Sequence, residues 1–129
     1  MLPFARVAII GLGLIGSSIA RAIRAEMPTV RVTGYDHDPD VRARSQALDF
    51  CEDIADSAGA AVTDADLVIL CVPVGAMGSV ASEIADDLPP DAVVSDVGSS
   101  KASVAAALAA ALQGATIVPA HPVAGTENS

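Results

Sequence analysis

Along this chain, short unbroken apolar runs alternate with longer stretches whose apolar residues recur every three or four positions. Val7-Ala8-Ile9-Ile10 has no polar interruption, the pattern of a strand buried on both faces. Over 12–27 the spacing becomes helical, with Ile15, Ile19 and Ile23 expected on one core-facing stripe and Pro28 ending the helix. Residues 30–35 read as a second strand. Asp38-Pro39 then opens a helix running to about Leu48, with proline in its first turn. The pattern is weakest over 49–64, where a short strand near Ile54 and a helical turn are expected. Residues 67–72 form a central strand ended by Pro73, and the helix after it places Met77, Val80, Ile84 and Leu88 toward the core. Pro89-Pro90-Asp91 is a turn, and 92–95 is a strand ending at Asp96. Ser100 caps a helix over 101–112, with Val104, Leu108 and Leu112 inward and Gly114 as its stop. A last strand covers 116–120.

Buried strands separated by helices predict an α/β fold of the Rossmann type: a doubly wound, mostly parallel sheet with helices on both faces. Nothing divides the chain, so 1–129 is one domain. Ligands of such sheets bind past the C-terminal strand ends, which places a site in the loops after Ile10, Tyr35, Val72, Asp96 and Ala120.

Composition narrows this further. Of the 129 residues 52% are apolar, Trp is absent and there is one Tyr, so the core is built from small aliphatic side chains. A formal charge of −9 argues against nucleic acid or an anionic membrane as partner, since both demand basic patches. Cys51 and Cys71 are the only cysteines, too few for a disulfide framework or a metal cluster, and no metal site is expected. No apolar run approaches the roughly 18 residues of a membrane span, and no signal-peptide pattern opens the chain. A soluble cytoplasmic protein is the expectation.

Gly11-Leu12-Gly13-Leu14-Ile15-Gly16 is a G-x-G-x-x-G motif placed between a strand and an amphipathic helix, the context that phosphate binding needs. Gly11 permits the tight turn, Gly13 lets the backbone approach a pyrophosphate, and Gly16 lets the helix pack close to the strand. The free N–H groups at the helix start, around Leu14 and Ile15, face the phosphates. Asp36 comes twenty residues beyond Gly16, at the end of the second strand. Its carboxylate suits ribose hydroxyls and repels a 2′-phosphate, favouring NAD over NADP. Arg42 and Arg44 are expected on the exposed face of the next helix. Val72 and Pro73, at the end of the central strand, border the same site.

Two further loops carry polar chemistry. Asp96-Val97-Gly98-Ser99-Ser100-Lys101 follows one strand, and His121-Pro122-Val123-Ala124-Gly125-Thr126-Glu127 follows the next. An imidazole and a hydroxyl at the nicotinamide end suit a hydride transfer that also removes a hydroxyl proton. Taken alone, His121 reads better as a strand end with its ring bonded to a backbone carbonyl, and Ser99 or Ser100 reads as a helix cap.

These stretches, with Gly34-Tyr35-Asp36 and Asp66-Leu67-Val68-Ile69-Leu70-Cys71-Val72-Pro73-Val74, resemble the N-terminal domain of the prephenate/arogenate dehydrogenases. The first motifs recur across many nicotinamide dehydrogenases; the Ser99 and His121 loops carry the specificity. The resemblance implies NAD-dependent oxidative decarboxylation of prephenate or arogenate in tyrosine biosynthesis. It also implies His121 as partner of the substrate C4 hydroxyl and acceptor of its proton, with Ser99 orienting both. It places Thr126 and Glu127 at the substrate side and leaves Lys101 without an assigned role. It further implies a C-terminal helical domain, absent from these 129 residues, that mediates homodimerisation and completes the substrate site. The chain is therefore expected to be part of a two-domain enzyme and inactive alone. Two other readings stay open: a 3-hydroxyacid or 6-phosphogluconate type dehydrogenase, and a non-catalytic NAD-binding module.

Overall fold

A computed structural model describes residues 4–96 and 116–119. Six strands form one sheet in the order β3-β2-β1-β4-β5-β6, every pairing parallel. They are β1 (Arg6–Ile10), β2 (Arg31–Tyr35), β3 (Asp53–Ile54), β4 (Leu67–Leu70), β5 (Val93–Asp96) and β6 (Thr116–Pro119). The helices described are α1 (Leu14–Glu26), α2 (Pro39–Leu48), α3 (Ala58–Val62) and α4 (Val74–Ile84). The expected helix over 101–112, with its cap at Ser100 and stop at Gly114, lies outside the described residues.

Strand alternation divides the core in two. Val7 and Ile9 face one side with Ile69, Val32, Phe50, Ala20 and Ile23 of α1, and α2 adds Val41 at its edge. Ala8 and Ile10 face the other side, with Val68, Leu70, Val94, Val62 of α3, and Met77, Ala81 and Ile84 of α4. Ile9, Ile10 and Leu70 are almost wholly enclosed, each stabilising the fold by about 1.5–3 kcal/mol relative to exposure. The winding reverses between β1 and β4, and there the sheet offers a crevice at its C-terminal edge.

Local signals explain most boundaries. Asp38 caps α2 by accepting from the Asp40 N–H at 2.9 Å, with Pro39 next, as its position before Pro predicts. The weakly patterned region holds the expected short strand, β3, and a helical turn, α3, capped by Ser57 on the Ala60 N–H at 3.1 Å.

Four expectations are corrected. The first helix begins at Leu14, and Leu12 is buried in the turn before it. Its buried stripe is Gly16, Ala20 and Ile23, whereas Ile15 is 56% exposed. The helix presses its small residues against the sheet, and the residue before Gly16 is rotated about 100° away. β4 ends at Leu70 rather than Val72, with the Cys71 N–H still donating to the Ile10 carbonyl at 2.7 Å beside the glycine turn. Finally, α4 ends before Leu88, which packs partly against the core from the turn beyond.

Candidate nucleotide-binding site

The C-terminal ends of β1, β2 and β4 converge on a cleft of about 420 Å³. The turn after β1 forms its floor. Gly11 has φ +101°, a backbone conformation that side-chain-bearing residues rarely adopt, and donates from its N–H to the Tyr35 carbonyl at 2.7 Å. A Cβ on Gly11 would collide with the Cys71 carbonyl, and one on Gly16 with the Gly11 carbonyl. The chain itself requires glycine at both positions. Gly13 differs: nothing lies within 4 Å of where its Cβ would stand. The fold leaves open space there, beside the N-terminus of α1, where Gly13 is the cap and no side chain satisfies the first N–H groups. An uncapped helix start facing open space is an anion cradle. The first turn of α1 also carries no acidic residue to oppose an anion. Leu14, 84% exposed, and Ile15 stand on the outer side of this turn.

Asp36 sits at the end of β2 with its side chain 13% exposed. One carboxylate oxygen accepts from the Leu12 N–H at 2.8 Å and the other from the Asp38 N–H at 3.0 Å. The acid thereby ties the β2 end to the glycine turn. A carboxylate offers about four acceptor positions, so two backbone donors leave capacity for ribose hydroxyls. His37 Nδ1 lies 3.5 Å from Asp36, with its ring almost fully exposed.

The expectation that Arg42 and Arg44 both project from an exposed helix face holds for Arg44 only. Arg42 is half-buried. It folds back so that Nη1 donates to the Asp36 carbonyl at 2.8 Å, with its guanidinium 5.5 Å from the Tyr35 ring centroid. α2 buries little besides Ser45, and this contact fastens it to the β2 end.

The opposite wall is α4. Val72 and Pro73 enter the cleft at its start, followed by Ala76, Ser79, Val80 and Glu83. Those four sit at i, i+3, i+4 and i+7, one stripe of the helix, next to the core stripe of Met77, Ala81 and Ile84. The sequence places Val80 in the core; the structure leaves it half-buried, touching the core and lining the cleft. Val72 and Pro73 were the only members of this wall anticipated from sequence. Tyr35, His37 and the α4 stripe were missed, because no motif marks them. Cys71 also borders the cleft, and burial pushes its thiol up to about 11, so it is a neutral, unreactive wall at physiological pH.

A smaller depression at the other end of the sheet contains Arg6, Arg31, Asp53 and Asp64. These pair with one another, Arg31 with Asp53 at 2.9 Å and Arg6 with Asp64 at 3.6 Å, which leaves no unmatched charge for a ligand. Among the described residues no three metal-ligating side chains cluster, and no helix is long and apolar enough to cross a membrane.

The structure thus brings together Gly11, Gly13, Leu14, Ile15, Gly16, Asp36, Val72 and Pro73 around one turn and one cleft. Ser99, Lys101, His121, Thr126 and Glu127 lie outside the described residues. The strands that precede them are neighbours in register, Asp96 opposite Pro119.

Residues 19–129 match the family described as prephenate dehydrogenase, nucleotide-binding domain. The chain belongs to that family. The matched span begins after the glycine turn, so it does not rest on the motif that many dehydrogenases share. The prephenate dehydrogenase relatives include a cyclohexadienyl dehydrogenase of Zymomonas mobilis, 50% identical over 129 residues, which are all of this chain and 44% of that protein. A prephenate dehydrogenase of Lactococcus lactis is 31% identical over 96% of this chain and 35% of its own length. The crystal structure of Aquifex aeolicus prephenate dehydrogenase with hydroxyphenyl propionate and NAD+ superimposes with a TM-score of 0.84 at 31% identity, covering 96% of this chain and 43% of that one. The chain therefore spans less than half the length of these proteins.

Proposed function

We propose that this chain is the NAD-binding part of a longer dehydrogenase that oxidatively decarboxylates prephenate, arogenate or both, in the cytoplasm, on the route to tyrosine. The observation that carries the nucleotide assignment is the open cradle at Gly13, set between an uncapped helix start and the Asp36 carboxylate. A pyrophosphate fits the first, and adenosine ribose hydroxyls fit the second. NAD, when bound, supplies the hydride acceptor.

The chain's own residues divide the remaining work. Gly11 and Gly16 fix the turn, and the N–H groups at Leu14 and Ile15 bind phosphate oxygens. Asp36 selects an unphosphorylated ribose, and Val72 with Pro73 packs on the adenosine. His121 accepts the proton of the substrate C4 hydroxyl, and Ser99 orients that hydroxyl and the imidazole. Thr126 and Glu127 border the substrate. Two facts support this: family membership runs through both loops, and β5 and β6 end side by side on the edge that bears the cleft. Loss of CO2 and gain of aromaticity make the step effectively irreversible. The remainder of the longer protein supplies the substrate's carboxylate partners and the homodimer contact, so the 129 residues alone bind NAD without turnover.

The deciding experiment is kinetic and uses the longer protein. His121→Asn should lower kcat by about 10²–10⁴, the span of a positioned general base, with NAD affinity nearly intact. Ser99→Ala should cost less. The acidic limb of the kcat/KM profile near the imidazole pKa should vanish in His121→Asn. Turnover at the unmodified rate with that limb still present would remove His121 from the mechanism.

A further inference from the structure

The cleft has a polar end that the phosphate turn and Asp36 do not use. On α4 the cleft-facing stripe changes character along its length. Ala76 and Val80 are apolar, with Val72 and Pro73 continuing that surface, while Ser79 and Glu83 are polar and exposed at the rim. Glu83 has no hydrogen-bond or ion-pair partner among the described residues, so its carboxylate is not engaged by the fold. An apolar slot ending in a carboxylate matches a flat heteroaromatic ring whose faces are apolar and whose edge carries an N–H donor.

We infer that Glu83 is a specificity-determining residue that reads the exocyclic amino group of the adenine base, with Ser79 one turn before it as a secondary contact. The inference rests on the nucleotide reading of the cleft. If Asp36 holds the ribose at the β2 end, the base extends across the apolar stripe toward the rim. The 6-amino group then donates to a Glu83 carboxylate oxygen. A purine with a carbonyl at that position turns an acceptor toward an acceptor, so the hydrogen bond is lost and the two oxygens repel.

The test compares NAD with nicotinamide hypoxanthine dinucleotide, which differs by oxygen in place of the amino group, through calorimetric titration of the 129-residue chain. The unmodified protein should bind NAD about tenfold more tightly, the scale of one hydrogen bond to a charged group. Glu83→Ala should bring the two within about twofold. Glu83→Gln, whose amide can also donate to a carbonyl, should shift the preference toward the hypoxanthine form. Asp86→Asn removes one negative charge from the exposed turn after α4 and should leave the ratio unchanged, separating recognition from general electrostatics. NAD binding with the same ratio in the unmodified and Glu83→Ala proteins would overturn the role of Glu83 and leave the nucleotide site standing. Failure of the unmodified chain to bind either dinucleotide would overturn both.

Discussion

The two walls of the cleft are made in different ways. The wall formed by the β1–α1 turn and the β2 end is held by hydrogen bonds to the main chain: the Gly11 N–H donates to the Tyr35 carbonyl, the Leu12 and Asp38 N–H groups donate to the Asp36 carboxylate, and Arg42 donates to the Asp36 carbonyl. The wall formed by α4 is side chain: a helical stripe that hydrogen-bonds little and offers shape and a single carboxylate. Backbone walls tolerate almost no substitution because their geometry is the recognition element. Side-chain walls can change composition without changing the fold, so selectivity can be tuned there as well as at Asp36.

Within the first wall the glycines should separate by role, and this is the largest expected effect. Gly16→Val should destabilise the protein by about 3 kcal/mol or more, because the new side chain meets the Gly11 carbonyl, which cannot yield. Gly13→Val should change stability by less than about 1 kcal/mol, since its side chain enters open space, yet should abolish dinucleotide binding. Thermal unfolding and calorimetry on both variants check this together. A Gly13→Val protein with unchanged NAD affinity would mean that the phosphates sit elsewhere.

Next comes Asp36. Asp36→Ser should narrow the preference for NAD over NADP by about tenfold or more. It should also cost about 1–2 kcal/mol of stability, because the Leu12 and Asp38 N–H groups lose their acceptor. A narrowed preference with no change in melting temperature would show that Asp36 acts on the ligand alone and does not hold the turn. Tighter binding of NADP than NAD to the unmodified protein would break the cofactor assignment.

The smallest effect comes from behind that wall. Glu52 accepts from the Val32 N–H at 2.7 Å and from Arg24 Nη2 at 3.0 Å, joining α1 to the edge of β2. Burial alone would raise its pKa, but the Val32 and Arg24 hydrogen bonds outweigh it and the net shift is downward. A carboxyl with a depressed folded pKa stabilises above its unfolded value, about 4.3, and that contribution is lost as pH falls through the folded value. The melting temperature should therefore drop by an extra few degrees below about pH 4, and Glu52→Gln should flatten that part of the curve. Identical acid limbs in the two proteins would mean that the bridge contributes nothing.

Much of this was legible in advance for a physical reason. A short unbroken run such as Val7–Ile10, ended by a glycine turn, reads as a doubly buried strand, and a glycine motif between strand and helix is the context that phosphate binding needs. Asp38-Pro39 announced its helix start, because side-chain caps are local; the Ser57 cap of α3 was not anticipated. The α4 stripe was not legible in the same way. Ala76, Ser79, Val80 and Glu83 carry no motif, and Val80 is apolar at core spacing, so it reads as core until the neighbouring elements are in place. Arg42 was misread for the same reason: its contact with Asp36 depends on how α2 swings back over the β2 end.

By itself, the sequence determined the parallel α/β architecture, the sheet edge where a site is expected and the stretches that resemble the family. These depend on periodicity and on interactions within a few residues. Only the tertiary structure identified the atoms behind the roles of the glycines: the Cys71 carbonyl against Gly11, the Gly11 carbonyl against Gly16, and open space at Gly13. It also showed that the α1 stripe is Gly16–Ala20–Ile23 with Ile15 outside, and that α4 lines a cleft. Each of those depends on which surfaces meet across the sheet, and the spacing of residues along one element does not contain the rotation of that element against its neighbours.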